Sequence, residues 1–370
     1  MVRCDGSERV WFPEPLLDDP TFARPGENTC AWLGRSTVAR AAQLRRFLNE
    51  HLAAFPVSAR ADLAHDLDIR WQTAFFELVL GRMLQTLGAH ITVEPANEIG
   101  RRLDFVAEFS DGIIGVEAIS PVINRSVGEQ MVLQKPLIEI VERLLPKGWN
   151  AMIVDLPPLA PSDSKRDFTD ALLELFGELS ALNEPQPIEL RRVVGEGEIR
   201  LNLIPQKFEQ PIIAGPGAGY CDDSEQRIRH AVTKKRRRKQ ARLRDHPILL
   251  AINGAGLSTD LDEFDRALFG STVEHFGRGG RSERTSFLTN GEFTRRVGDK
   301  SPTFAGVLAF IRLGPGGGTD PVLYRHPRYA GAFPMAITAL EQRRFDRTTE
   351  QIIVDNLGVR GVLARLGFPQ

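Results

Sequence analysis

Three cysteines, Cys4, Cys30 and Cys221, lie far apart with no paired spacing, which excludes a disulfide framework or zinc ribbon and suits free thiols in a reducing compartment. No run of about 18 apolar residues occurs, and the opening stretch "MVRCDGSERVWFPEPLL" has no apolar signal core, so a cytoplasmic protein with no membrane partner is expected. The histidines are scattered without a His-x-x-x-His pair, and His246 and His326 each precede a proline, as loop or strand-entry residues do. There is no Gly-x-Ser-x-Gly elbow of an α/β hydrolase. The glycine-rich stretches "GPGAGY" (215–220) and "GPGGGTDP" (314–321) lack the lysine of a phosphate-binding P-loop, and the first runs into Asp222 and Asp223, so both read as loops rather than a nucleotide site.

What the chain has is length and an uneven charge. Its 370 residues, 42% of them hydrophobic, suffice for a large core. The formal net charge is −1, yet residues 227–244 carry ten Lys or Arg. Residues 37–55 place Leu44, Phe47, Leu48 and Leu52 on one helical face, after Ser36 or Thr37 as N-cap and before Pro56. A second helix is expected from about Ile69 to Leu87, stopped by Gly88, with Glu77 interrupting its apolar surroundings. Three strand-like runs follow at 89–95, 102–109 and 112–120, the last two joined by a Ser-Asp-Gly turn. Further on, helices are expected around 129–145 and 167–182, strands at 149–156 and 198–206, and a polar helix over 224–244 leading into the apolar strand 246–254. The remainder reads as a short helix around "EFDRALFGS", a loop over 277–283, a strand at 304–313, a loop around "LYRHPRYAGAFP" and a helical region from about 337.

Chemistry concentrates in "RRLDFVAEFSDGIIGVEAIS", residues 101–120. Side chains alternate across a strand, so Asp104 and Glu117 converge if their strands pair. Two such carboxylates suffice for Mg²⁺ or Mn²⁺, which take their other ligands from water and phosphate. Glu77 is a candidate third acid. Acids in hairpin strands also commonly face solvent, and that plainer reading stands beside the metal site.

The order helix with Glu, strand, strand with Asp, strand with Glu, later helix, later strand resembles the PD-(D/E)XK nuclease superfamily. So do the stretches "WLGRS", "LRRFLNEHLAAFP", "AFFELVLGRMLQTLG", "HPILLAING", "ALFGS", "FAGVLAF" and "LYRHPRYAGAFP", which look like a bacterial branch of that superfamily and cover most of residues 32–334. The resemblance implies an α/β restriction-endonuclease-like core, with a mixed sheet flanked by helices. Residues 67–256 would form that core, interrupted by an insertion at about 124–223, with a helical extension over 1–66 and an α/β elaboration over 257–370. It further implies a metal held by Asp104, Glu117 and Glu77, with the Ala118 carbonyl as an extra ligand, and DNA as the substrate. Two positions depart from the pattern. Leu103 replaces a proline that has no chemical role, whereas Ile119 replaces the lysine that orients water, and aliphatic carbon cannot do that work.

A substitute cation is expected from the helix "EQRIRHAVTKKRRRKQARLR". In the related proteins the helix before the last core strand carries a lysine, and the spacing from Ile228 and Ala231 makes Lys235 its match. Successive residues rotate by about 100°, so Lys234, Lys235, Arg236, Arg237, Arg238 and Lys239 girdle the helix with positive charge, suited to nucleic-acid phosphates or else simply solvated. Arg101 and Arg102, just before the Asp104 strand, are second candidates for a phosphate clamp. The stretch has few interleaved aromatics, so stacking on single strands is not signalled. The residues thus lead to a metal-dependent nuclease, or to a catalytically inert module of the same fold that binds DNA or a protein partner through its basic helix.

Overall fold

The computed structural model describes residues 10–21, 23, 27–95, 103–121, 137–156 except 139 and 142, 165–179, 186–194, 197–205, 213–214, 224–237, 246–254, 260–276, 282–294 except 289, 302–355 except 312 and 316, and 360–368. The chain divides into two compact units. One comprises Met1–Ala23, Asn28–Pro121 and Asp223–Gln370, and the other Arg24–Glu27 and Val122–Asp222.

Four helices open the first unit: α1 (Thr29–Arg35), α2 (Ala39–Ala53), α3 (Val57–Ile69) and α4 (Trp71–Thr86). Asn28 caps α1 by accepting the Cys30 N–H at 2.7 Å. The cap expected from Ser36 or Thr37 is not made; Val38 holds that position at α2 with no side-chain bond. Pro56 both follows α2 and starts α3, a helix the apolar periodicity did not signal. A domain boundary at 66 would cut α3 near its end, so the helical extension and the core are continuous. α4 stops as its sequence suggests. Gly88 takes φ of 92°, and the Ala89 and Gly88 N–H groups bond the Leu84 and Gln85 carbonyls at 3.0 and 2.9 Å, the Schellman pattern.

Strands β1 (His90–Val93), β2 (Phe105–Phe109) and β3 (Gly112–Ile119) form an antiparallel meander. In chain order the second unit then supplies β4 (Trp149–Asp155), α5 (Lys165–Leu179), β5 (Ile188–Val194), β6 (Gly197–Pro205) and β7 (Ile213–Ala214). Its sheet has the order β5-β6-β4-β7. Phe168, Leu172 and Leu175 of α5 share an apolar core with Ile153, Leu190, Leu201 and Leu203, so this unit has an interior of its own.

The first unit resumes with α6 (Ser224–Arg237), β8 (Ile248–Asn253), α7 (Leu261–Leu268), β9 (Thr272–Phe276), β10 (Ser282–Phe287), β11 (Gly306–Phe310), β12 (Val322–Arg325), the single turn α8 (Met335–Thr338), β13 (Gln342–Asp346) and β14 (Gln351–Asp355). Eight strands make one mixed sheet in the order β1-β2-β3-β8-β11-β12-β13-β14. The C-terminal stretch therefore extends the central sheet itself.

The helical region expected from about 337 is the one turn of α8 followed by the β13–β14 hairpin, and residues 323–325, read as loop, lie in β12. Parallel pairing of β13 with β12 and burial of Phe345 decide the matter; this tertiary context is invisible to local pattern.

Alternation along the strands sorts the core onto two faces. On one, Phe105, Ala107, Val116, Ala118 and Leu249 join Leu48, Phe76, Leu80 and Leu84 of α2 and α4. On the other, Leu250, Ile252, Val307 and Tyr324 join Ile228 and Val232 of α6 and Phe264 and Leu268 of α7. Glu117, between Val116 and Ala118, necessarily points to the second face, under α6.

Candidate active site

Asp104 lies at the bend that enters β2 rather than within the strand. The antiparallel register pairs Phe105 with Val116, so one step outward Asp104 stands opposite Glu117. Its Oδ2 accepts the Ala118 N–H at 2.6 Å, and its carbonyl accepts the Glu94 N–H at 3.0 Å. The first contact fixes the carboxylate against the end of β3, and the second ties the Asp104 backbone to the end of β1. Glu117 itself is 1% exposed.

On α6, Ile228, Ala231 and Val232 are buried, and a further three to four residues along the same stripe comes Lys235. Its ammonium donates to Glu117 Oε2 at 2.6 Å and lies 3.6 Å from Asp104 Oδ2. A charge-assisted bond of that length, with a side chain only 12% exposed, is a strong local interaction. Ile119 points to the same face and packs against its apolar cluster. The structure thus brings together Asp104, Glu117 and Lys235, the last of them 118 positions from Glu117.

Glu77 lies nearby without joining that cluster. It lines a cleft of about 260 Å³ with Asp62, Asp66, Glu94, Asp104 and Phe105. Burial, and then the charge of Asp104, raise its carboxyl to about 7. Among the described residues no group of three or more His, Cys, Asp or Glu side chains could hold a metal ion; Glu77 lines the cleft beside Asp104, apart from the Asp104–Glu117 pair. The two carboxylates of that pair still match what a hard divalent cation takes from a protein when water and phosphate complete its shell.

The raised Glu77 has a consequence for stability. An acid with an unfolded value near 4.5 and a folded value near 7 binds more protons folded than unfolded between those limits, so stability falls as pH rises across the window and the deficit persists above it. Glu77→Gln is expected to be more stable than the wild type at pH 8, by about 3 kcal/mol, and to match it at pH 4.5; urea melts at both values measure this.

The other sequence candidates are distributed unevenly. Lys234 is exposed. Arg236 is engaged, 2.7 Å from the buried Glu292 carboxylate, so the basic run is not a uniform girdle. Arg237 ends α6, its side chain lying outside the described residues, as do Arg238, Lys239, Arg101 and Arg102 altogether.

Comparisons with protein-family models, with curated proteins and with solved structures find no match.

Asp62, Asp66 and Glu94 were missed in the sequence. The available signal was Asp62 and Asp66 at i, i+4 in a stretch with no assigned element; α3 makes them one helical face turned toward the cleft. The cleft is therefore acidic on its α3 side, while the Lys235 ammonium meets the carboxylate pair from α6. Such an arrangement can hold a cation between the carboxylates and present a fixed positive donor beside it. No helix among the described residues is long and apolar enough to cross a membrane.

Proposed function

We propose that this chain is a metal-dependent phosphodiesterase acting on nucleic acid, DNA in particular, on a restriction-endonuclease-like core. The observation that carries the reading is the Lys235 ammonium 2.6 Å from Glu117, a basic group delivered from α6 into the neighbourhood where Ile119 leaves none. The order α4, β1, β2, β3, α6, β8, with Glu77 on the helix and Asp104 and Glu117 at the strands, supports the same fold reading, as does the sequence resemblance to the PD-(D/E)XK nucleases.

Asp104 and Glu117 would hold Mg²⁺ or Mn²⁺, with the Ala118 carbonyl as a further oxygen. Bound there, the ion would act as a Lewis acid on the scissile phosphate and lower the pKa of a coordinated water. The protein's own part is positioning. The Ala118 N–H holds Asp104 in one orientation, and the buried floor around Glu117 limits competing water. Lys235 donates to the non-bridging phosphate oxygen on which negative charge grows, a role that is worth most in a site of low dielectric.

Supercoiled plasmid incubated with Mn²⁺ tests the reading, with Asp104→Ala/Glu117→Ala as the comparison. Nicking by the wild type at a rate at least about 10²-fold above the variant is expected; equal behaviour would overturn it. Apolar packing of Ile119 favours the second reading, an inert DNA-binding module, for which that equality, together with DNA binding, is the expected result.

A further inference from the structure

On the same sheet face as Lys235, three guanidinium side chains come from three separate elements. Arg236 belongs to α6, Arg328 to the turn that follows β12, and Arg347 to the turn between β13 and β14. The parallel register that pairs Arg325 with Arg344, carried three residues on, sets Arg328 level with Arg347 beside His326, a buried residue held from several sides. The His326 backbone N–H donates to the Ala305 carbonyl at 3.0 Å, its ring Nδ1 accepts the Arg328 backbone N–H at 3.1 Å, and the ring lies 4.5 Å from that of Phe293. Glu292, next to Phe293, anchors Arg236 at 2.7 Å. Asp346, beside Arg347, turns its carboxylate to the Thr348 and Thr349 N–H groups of its own turn. Burial, followed by the charges of Arg328, Arg347 and Arg236, lowers His326 to about 4, so near neutral pH the imidazole adds no charge. Glu292 thus holds Arg236 within the group, and Arg347 is exposed to solvent.

The register places this group relative to the carboxylates. Glu117 aligns with Leu250, Leu250 with Val307, and Val307 with Tyr324. Three strand spacings of about 4.8 Å and two further residues along β12 put His326 about 16 Å from Glu117. Half a turn of duplex DNA rises about 17 Å.

We infer that Arg328 and Arg347, with Arg236 braced by Glu292, form a contact for the phosphate backbone of duplex DNA about half a helical turn from the Asp104–Glu117–Lys235 cluster. The assignment rests on the nucleic-acid reading of that cluster and specifies which surface the substrate crosses. Guanidinium groups from a helix and two turns suit a backbone read by charge and shape, since phosphate contacts fix position without reading base edges.

The test is fluorescence anisotropy of a labelled 24-base-pair duplex in EDTA, from 50 to 200 mM NaCl, with wild type, Arg328→Gln/Arg347→Gln and the exposed single variant Arg347→Glu. Loss of two phosphate contacts lowers the salt slope by about 1.8, so the wild type should lose about 12-fold more affinity than the double variant over that range. Arg347→Glu should move in the same direction, and it keeps the test valid if the double variant does not fold. Salt plots that coincide for wild type and Arg347→Glu would overturn the assignment even if Mn²⁺-dependent nicking is found. A reduced slope in a protein that never nicks plasmid would uphold the contact and remove the phosphodiesterase reading instead.

Discussion

Lys235→Met is expected to reduce Mn²⁺-dependent plasmid nicking by about 10²- to 10³-fold, the range seen when a preorganised donor is removed from a site of charge development. The variant also leaves Glu117, 1% exposed, without the ammonium 2.6 Å away. Removing one partner of a buried ion pair costs about 3 kcal/mol or more, so urea melts must accompany the rate measurement. A second substitution separates chemistry from folding. Ile119 shares its strand face with Glu117, and Ile119→Lys in the Lys235→Met background places an ammonium in the same neighbourhood from the other side. Recovery of at least tenfold in rate by that double variant is expected; a merely structural role for Lys235 would show no such gain at matched stability. Wild-type nicking by Lys235→Met would end the proposal that this lysine acts on the reacting phosphate.

The second large effect concerns Arg45, 1% exposed in the middle of α2. Its guanidinium donates to the Leu33 and Ser36 carbonyls at 2.7 Å each and to the Glu14 carboxylate at 2.6 Å. Leu33 lies in the last turn of α1 and Ser36 is its C-cap, so Arg45 supplies donors to carbonyls that the helix cannot satisfy itself, and its positive charge meets the negative end of the helix dipole. Arg45→Met keeps the side-chain length and removes every donor. A loss of about 3–4 kcal/mol in urea unfolding is expected, with two acceptors left dry. Glu14→Gln, on a side chain 68% exposed, should cost under about 1 kcal/mol. Equal effects from the two variants would mean that the surface pair, rather than the helix end, carries the energy.

How much of this was legible follows from what local pattern can encode. Asp104 and Glu117 could be brought together on paper because a tight turn fixes antiparallel register, and the observed pairing of Phe105 with Val116 is one step from theirs. Lys235 was legible through the resemblance, which implies a lysine on the helix before the last core strand; the spacing from Ile228 and Ala231 then singled it out, and those two are buried. Arg45 was not, because charge in an amphipathic helix reads as exposed, and only the neighbouring end of α1 makes its burial favourable. The arginines around His326 were also hidden. Their meeting depends on β13 lying parallel to β12, a pairing of strands rich in charge that the sequence pattern could not distinguish from helix. Likewise Arg236 looked like any other member of the basic run until Glu292, 56 positions away, took it.

The position of the second unit bears on how the site comes into being. Residues Val122–Asp222 leave the chain just beyond β3 and return just before α6, so Glu117 and Lys235 sit at opposite ends of a closed loop. Loop closure costs grow only as about (3/2)RT ln n, which makes a detour of this length thermodynamically mild, while contacts of large sequence separation slow folding. The second unit has its own apolar interior and so can collapse on local information, shortening the span that α6 must then search. Assembly of the carboxylate–ammonium cluster is in that sense the closing step of a ring, and the site exists only in molecules that have completed it.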